Sequence, residues 1–305
     1  TAFWSVLTMT LECDIVNLEK QLQEVSLNES ASYTQQWDLL NFVKKSRLRC
    51  SSVVVAEGTR LIKHHQTRLG DKKWELCERV FRAALDCGDG RKAQLFLKLL
   101  QTKFPKSKRV EILNAIYSEF RENFDHAEYI YYNILENDPT HVIAAKRLVC
   151  VYKAQGLHSK AVERLNKYLA LFTCDTSAWK ELGELYISQR NYSQAKFCLE
   201  EVLLAEPQNW LNHLEYAELL YTLGGHRNLE TALQYYYQSL ELNSESNLRS
   251  LYGLTMALRA ISDSGKGPKN GNAEVQQWST RRILEIYEDR SPHLFDIVDS
   301  VLSDK

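Results

Sequence analysis

Apolar residues recur at helical spacing along most of the chain, in paired segments separated by short polar turns. In the clearest pair, residues 176–209, Leu182 and Tyr186 are four residues apart and therefore share one face of a first helix. Ala195 follows on a second helix, and Pro207 ends the pair because proline cannot continue a helix. This pattern predicts a helix–turn–helix unit.

Small residues repeat this unit at a fixed interval of 34 residues. Alanines keep that step three times before a last step of 37, and a proline follows 12 residues after three of them. The markers are Ala93, Ala127, Ala161, Ala195 and Ala232, with Pro105, Pro139 and Pro207. A 34-residue period is typical of the tetratricopeptide repeat, or TPR. We therefore expect an all-α TPR solenoid with helical caps, a class that usually holds other proteins and seldom catalyses reactions.

The repeat register also divides the chain into segments. The predicted segments are an N-terminal extension (1–33), a degenerate helix pair (34–73), the TPR array (74–261), a flexible loop (262–272) and C-terminal capping helices (273–305). The unit at 210–246 has three extra residues. We expect them around Gly224 and Gly225, because a turn between helices tolerates insertion.

Composition narrows the kinds of partner. The formal net charge of −1 gives no overall field that would attract nucleic acid or an anionic membrane. No apolar run approaches the roughly 20 residues that span a bilayer, and the N-terminal stretch TAFWSVLTM lacks the basic start of a signal peptide. Seven cysteines are scattered without a CxxC pair, which predicts reduced and mostly buried thiols rather than zinc ligands or disulfides.

Motifs for catalysis or cofactor binding are missing from the sequence. It contains no GxSxG or HExxH motif and no phosphate-binding loop, so we expect no enzymatic activity and no cofactor. Two tyrosine-rich runs, 129–132 and 235–237, could be stacking platforms for a ligand. Tyrosine is also a normal packing residue of TPR helices, and the packing interpretation is favoured.

A concave surface lined by the first helix of each unit is the expected binding site. Helical phase selects the groove positions Arg82, Ile116, Lys146, Arg147, Lys153, Lys180, Glu184, Ile187 and Tyr221. The cations among them predict a basic floor in the middle of the array, whereas the later unit is more acidic and apolar. Such a mixed groove suits an extended or helical peptide. The alternative for any single residue is an ordinary solvated helix face.

One known kind of TPR groove is not apparent. TPR domains that bind chaperone tails grip a terminal carboxylate with lysine and asparagine side chains. The equivalent positions here carry Glu78 and Arg82, followed by Ile112 and Ile116. The sequence therefore predicts no carboxylate clamp.

Details beyond the repeat consensus resemble subunit 2 of the ER membrane protein complex, a TPR family. The resemblance covers residues 53–261 and includes the insertion at Gly224-Gly225. It rests on the stretches AALDCGDGRKAQLFLKLLQTKFPKSKRV, YYNILENDPTHVIAAKRLVCVYKAQG, AWKELGELYISQRNYSQAKFCLEEVLLAEPQN and YAELLYTLGGHRNLETALQYYYQSLELN. Residues 1–30 and the tail after Ser262 depart from the family.

The resemblance implies a cytosolic, non-catalytic scaffold at the cytoplasmic face of the ER, without a membrane span of its own. In that family the complex inserts tail-anchored and multi-pass membrane proteins. Subunit 2 cradles a segment of subunit 5, binds subunit 8 or 9, and contacts subunits 1 and 3. Two alternatives remain open: another TPR adaptor such as a chaperone partner, and an enzyme or its auxiliary subunit.

Overall fold

The computed structural model describes residues 33–46, 48–244, 247–263 and 269–303. The expected N-terminal extension therefore lies outside the described residues, apart from Tyr33. The predicted all-α architecture of helix–turn–helix repeats is confirmed. Its α-helices are α1 Tyr33–Lys45, α2 Ser51–His64, α3 Gln66–Leu69, α4 Lys72–Asp86, α5 Gly90–Lys103, α6 Lys108–Phe120, α7 Phe124–Asn137, α8 Val142–Ala154, α9 His158–Leu169, α10 Thr176–Ser188, α11 Tyr192–Ala205, α12 Trp210–Leu223, α13 His226–Leu242, α14 Leu248–Asp263, α15 Lys269–Arg290 and α16 Phe295–Ser303.

The helices belong to two compact units, and the division falls inside α8. Unit 1 extends to Val151, and unit 2 begins at Tyr152. In unit 1, α4 packs against α2 and α5, and α6 packs against α7. In unit 2, α10 packs against α11, and α13 packs against both α12 and α14.

One turn conformation recurs at the 34-residue step. The turns between paired helices contain a residue with φ between +59° and +75°, the left-handed region that favours glycine. These residues are Gly88, Glu122, Gly156, Arg190 and Gly224. After each of the first four, the next amide donates to a carbonyl five residues earlier, at 2.8–2.9 Å. This is the helix-ending Schellman arrangement, which satisfies carbonyl groups left open at the end of a helix.

The insertion before Ala232 lengthens a helix rather than a turn. Helix α11 begins three residues before Ala195, whereas α13 begins six residues before Ala232. The turn itself contains only Gly224 and Gly225, which both have positive φ. The extra residues therefore lie beside Gly224 and Gly225, as expected, but they belong to the helix and not to the turn. Two adjacent glycines let the chain reverse within two residues, so the added residues continue the helix.

The repeat markers lie where the two helices of a pair approach each other. The five marker alanines have no solvent exposure, and the three prolines stand between helices, after α5, α7 and α11. Two glycines mark closer approaches still. A methyl group added at Gly58 would stand 2.3 Å from Val80 Cγ2, and one at Gly253 would stand 2.4 Å from the Tyr236 ring. At Gly183 the nearest atom, Cys198 Cβ, is 3.5 Å away, which is ordinary contact.

The C-terminal helices pack onto the end of unit 2. Leu251 on α14 forms a small buried cluster with Ile283, Ile286 and Leu302, and the Arg259 guanidinium donates to the Leu302 carbonyl at 2.7 Å. Helices enter the stretch 262–272, which the sequence predicts as a loop: α14 ends at Asp263 and α15 begins at Lys269. Residues 264–268 lie outside the described residues.

Two expectations about single residue types hold for only some of the residues. Cysteines were expected to be mostly buried, but among the described ones only two are buried: Cys77 and Cys198 are buried, Cys50 is half-buried, and Cys87, Cys150 and Cys174 are exposed. The tyrosine runs divide in the same way. Tyr131 and Tyr236 belong to the core, whereas their neighbours Tyr129, Tyr132 and Tyr237 are exposed. The reason is helical geometry, since adjacent residues on a helix point to different sides.

Candidate functional site

The first candidate surface is a groove of about 530 Å³ in unit 1, called the unit 1 groove below. Its lining residues are Trp74, Glu75, Glu78, Leu100, Phe104, Ser107, Arg109, Val110 and Leu113. The Trp74 and Phe104 rings meet edge to face, with their centroids 5.5 Å apart. The groove is thus formed by α4, the end of α5 and the start of α6.

The carboxylates of the unit 1 groove already form ion pairs with cationic side chains of the same chain. Glu78 is 2.7 Å from Arg109 on the next pair and 3.1 Å from Arg82 one turn along α4, and its side chain is only 13% exposed. Glu75 forms an ion pair with Lys44 on α1. The hydrogen bond from Lys44 is the main reason that the pKa of Glu75 lies below its usual value. The unit 1 groove is therefore internally neutralised.

Another predicted groove residue of unit 1, Arg147, belongs to a partly buried polar network. The Arg147 guanidinium on α8 lies 3.3 Å from the Glu119 carboxylate, which also accepts a hydrogen bond from Tyr131. Burial raises the pKa of Glu119, against the opposing effects of Tyr131 and Arg147. Burial, followed by the bond to Glu119, raises the pKa of Tyr131. Arg147 thus links α8 to α6 and α7.

The other predicted residues of unit 1 differ in accessibility. Arg82 is exposed and paired with Glu78, and Lys146 is half-buried on α8. Ile116 is 6% exposed and its neighbour Ile112 is 4% exposed, so both side chains belong to the core. The placement of Ile116 at a groove is corrected here. Helical phase shows which residues share a face but not that α6 is covered on that face.

A second groove, of about 410 Å³, lies in unit 2 and is called the unit 2 groove below. It is lined by Lys180, Glu184, Ile187, Tyr192, Leu199, Glu215, Glu218, Leu219, Thr222 and Arg249. Three of the predicted groove residues, Lys180, Glu184 and Ile187, come together here on α10. Helices α11 and α12 form the apolar wall, and α14 contributes Arg249.

The charges of the unit 2 groove are only partly compensated. Arg249 holds both oxygens of the Glu218 carboxylate, with one nitrogen–oxygen distance of 2.7 Å, and this bond is the main reason that the pKa of Arg249 is raised. Glu215 is half-buried, and the described residues provide it with no ion pair. Burial raises the pKa of Glu215; Lys180 and then Arg249 act in the opposite direction, and Glu184 and Glu218 add to the increase.

The two remaining predicted residues of unit 2 lie outside this lining. The Lys153 ammonium group is 2.7 Å from the Glu181 carboxylate on α10, so it forms an ion pair within unit 2. Tyr221 is half-buried and packs against the core cluster around Leu214 and Leu220. Neither side chain reaches the unit 2 groove.

Several residues that line the grooves were not predicted from the sequence. Among them are Trp74 and Arg109 in unit 1, and Glu215 and Arg249 in unit 2. The repeat register contains a signal for Glu215, because it follows Glu181 by 34 residues and the helices that carry them, α10 and α12, begin 34 residues apart. A residue-by-residue comparison along the repeat would have placed Glu181 and Glu215 at one structural position.

Membrane-spanning helices and metal-binding clusters are two other kinds of functional feature. Within the described ranges, no helix combines the length and the apolar character that crossing a bilayer requires. Nor does that part of the chain bring together three or more His, Cys, Asp or Glu side chains that could share a metal ion. The grooves are therefore the candidate functional surfaces.

Comparison with known proteins gives consistent relatives. A family model described as the EMC2 TPR-like repeat domain matches residues 92–235. The ER membrane protein complex subunit 2 of Xenopus tropicalis is 37% identical over 270 residues, covering 88% of this chain and 91% of that protein. The protein of the same name in Dictyostelium discoideum is 36% identical over 261 residues, covering 82% and 81% of the two chains.

A solved structure supports the fold at lower sequence identity. The C-terminal part of a TPR repeat-containing protein from Cytophaga hutchinsonii aligns with a TM-score of 0.57 and 15% identity, covering 83% of this chain and 95% of that one. At such identity the likeness shows the fold alone.

Proposed function

The chain belongs to the family of ER membrane protein complex subunit 2, and from that premise we propose that it is a non-catalytic scaffold subunit of such a complex. Its helix pairs hold partner polypeptides at the cytoplasmic face of the ER membrane, to which the chain is attached peripherally through those partners. In this role it supports the insertion of tail-anchored and multi-pass membrane proteins. The partners are the subunits that correspond to subunits 1, 3, 5 and 8 or 9.

One observation carries the proposal. Similarity to the named subunits extends over nine-tenths of the Xenopus tropicalis protein, and the part of the chain in which it lies has two solvent-accessible grooves formed by helix pairs. Grooves formed between helices accept extended or helical segments of other proteins. Binding of partner segments is therefore the activity that this geometry supports best.

Affinity purification of the tagged full-length chain from its own cells, followed by mass spectrometry, tests the proposal. We expect integral ER membrane proteins to be recovered together as a stoichiometric set. Recovery of soluble chaperones without any integral ER protein would contradict it and would favour the chaperone-adaptor alternative.

A further inference from the structure

The unit 2 groove differs from an ordinary solvated helix face by having an apolar wall beside Glu184 and Glu215, two acidic side chains for which the described residues provide no ion pair. Ile187 is 40% exposed, and half-buried Tyr192 stands beside the buried Leu199 and Leu219. A volume of about 410 Å³ is within the roughly 300–1,000 Å³ typical of ligand sites, so it accommodates a few side chains rather than a folded domain. Its size therefore fits a short segment of a polypeptide.

The charges of its lining residues determine which kind of polypeptide segment fits the unit 2 groove. The bidentate bond to Glu218 uses the positive charge of Arg249. Of the remaining charged lining residues, Lys180 is the one cation and Glu184 and Glu215 are the two anions. Partial burial strengthens the effect of an unmatched carboxylate, because nearby protein excludes the water that would screen it.

We propose that the unit 2 groove binds a segment of a partner protein that presents a lysine or arginine to Glu215 and Glu184 and an apolar side chain to Ile187 and Leu219. This inference rests on the proposed scaffold function and specifies the chemistry of one partner. A cation in this position gains an ion pair of low solvent exposure and gives Glu215 a direct ion-pair partner, which the described residues do not provide. An acidic segment does not fit the unit 2 groove, because Glu215 and Glu184 would repel its carboxylates.

The ion pairs of the unit 1 groove distinguish it from the unit 2 groove. Its groove also has an aromatic and apolar wall, but Arg82, Arg109 and Lys44 already pair with Glu78 and Glu75. A cationic segment would have to displace one of those bonds before gaining its own. The proposal is therefore confined to unit 2.

Photo-crosslinking in cells tests the proposal on the full chain. Thr222 is exposed and lines the unit 2 groove, so Thr222→p-benzoylphenylalanine places a crosslinker there without altering a charged group. The crosslinked partner peptide is then identified by mass spectrometry. We expect a lysine or arginine within about three residues of the crosslinked position, beside an apolar residue.

A charge-neutralising variant provides the matched comparison. Glu215→Gln preserves the shape of the side chain and should lower the crosslink yield about tenfold, because the partner cation loses its counter-charge. Glu241→Gln removes the same charge from an exposed position on α13 outside the groove, and should leave the yield unchanged. Thermal melts of both variants establish that each is folded.

Each outcome has a defined meaning. A crosslink to a segment without lysine or arginine, to a second copy of this chain, or one insensitive to Glu215→Gln overturns the inference. Absence of a crosslink while integral ER proteins still co-purify also overturns it, but leaves the proposed function standing. If no ER protein co-purifies, the proposed function fails, whereas a Glu215-dependent crosslink to a basic segment would still support the groove chemistry.

Discussion

The grooves of the two units are built from similar helix pairs but treat their acidic residues differently. In unit 1 the Glu78 carboxylate lies between Arg82 and Arg109, and both cations come from the same unit. In unit 2 the Glu218 carboxylate has one arginine, Arg249, and Glu215 has no ion pair among the described residues. The repeat therefore determines where charged side chains stand, while the residue chosen at each step determines whether a groove is neutralised internally.

The largest expected effect concerns the helix contacts behind each groove. Gly253→Ala should lower the stability of the chain by about 1–3 kcal/mol, because three side-chain atoms of the buried Tyr236 stand within 2.8 Å of the added methyl group. Gly58→Ala meets a single methyl group of Val80 that closely and should cost less, because one methyl group has to shift rather than a buried aromatic side chain. Differential scanning calorimetry of both variants measures the difference.

A matched control for that pair is Gly183→Ala. Its nearest neighbour, Cys198 Cβ, lies at an ordinary contact distance of 3.5 Å, so the melting temperature should stay within about 2 °C of the parent or rise. Equal losses at Gly183 and Gly253 would contradict the packing assigned to α13 and α14.

Next in size is the loss of a neutralised carboxylate. Glu78→Gln should destabilise the chain by about 1 kcal/mol, because both arginines lose their charged acceptor and only the Glu78 end of the cluster is well buried. Urea unfolding at low ionic strength measures this free energy. High salt should reduce the difference, and a salt-independent loss would indicate packing rather than charge.

A smaller gain is expected at the turns, where the two units offer the same substitution. Glu122→Gly in unit 1 and Arg190→Gly in unit 2 both relieve a φ of +59°, and each should stabilise the chain by about 0.5–1 kcal/mol. Chemical denaturation of the two variants tests whether the repeat turn is equivalent in both units. A loss of stability at either position would contradict the left-handed conformation.

The smallest expected effect is a pH dependence of opposite sign in the two grooves. Because burial raises the pKa of Glu215, its ionised form opposes folding near neutral pH, and that cost disappears as pH falls through the raised pKa. Glu215→Gln should therefore be neutral or stabilising by about 0.5 kcal/mol or less at pH 7, and the difference should vanish under acidic conditions.

Glu75 provides the contrasting titration. The bond from Lys44 lowers the pKa of Glu75, so its ionised form contributes stability that is present at neutral pH and lost as pH falls through the lowered value. Glu75→Gln should therefore destabilise slightly at pH 7 and have no effect well below pH 4. Melting curves across pH 3–8 for both variants would show the two signs, and identical signs would contradict the comparison.

Much of the fold can be predicted from the sequence, because close packing of the paired helices determines which residue types stand at the marker positions. The 34-residue spacing of Ala93, Ala127, Ala161 and Ala195 arises where helices approach too closely for larger side chains, so it locates the pairs directly. The turn residues in the left-handed region repeat at the same 34-residue step. At Glu122 and Arg190 the sequence does not indicate this conformation, because neither residue is a glycine. Turn geometry there is imposed by the packed helices rather than by residue choice.

The grooves are harder to predict because they depend on contacts between repeats. Lys180, Glu184 and Ile187 share one helix face, which helical phase alone reveals. The bonds from Arg109 to Glu78 and from Arg249 to Glu218 cross from one pair to the next and span about 31 residues, so no local pattern shows them. The burial of Ile116 could not be predicted for the same reason, since it depends on how neighbouring helices cover α6.

Quantitative co-purification of integral ER membrane proteins with the tagged chain tests the central claim most directly, comparing the parent with Glu78→Gln and Glu215→Gln at a temperature where all three are folded. The account predicts that Glu78→Gln retains its partners despite its lower stability, because Glu78 serves its own unit. Glu215→Gln should instead lose at least one partner while remaining as stable as the parent. The reverse result, with partners lost through Glu78→Gln and retained by Glu215→Gln, would contradict the assignment of the unit 2 groove to a partner.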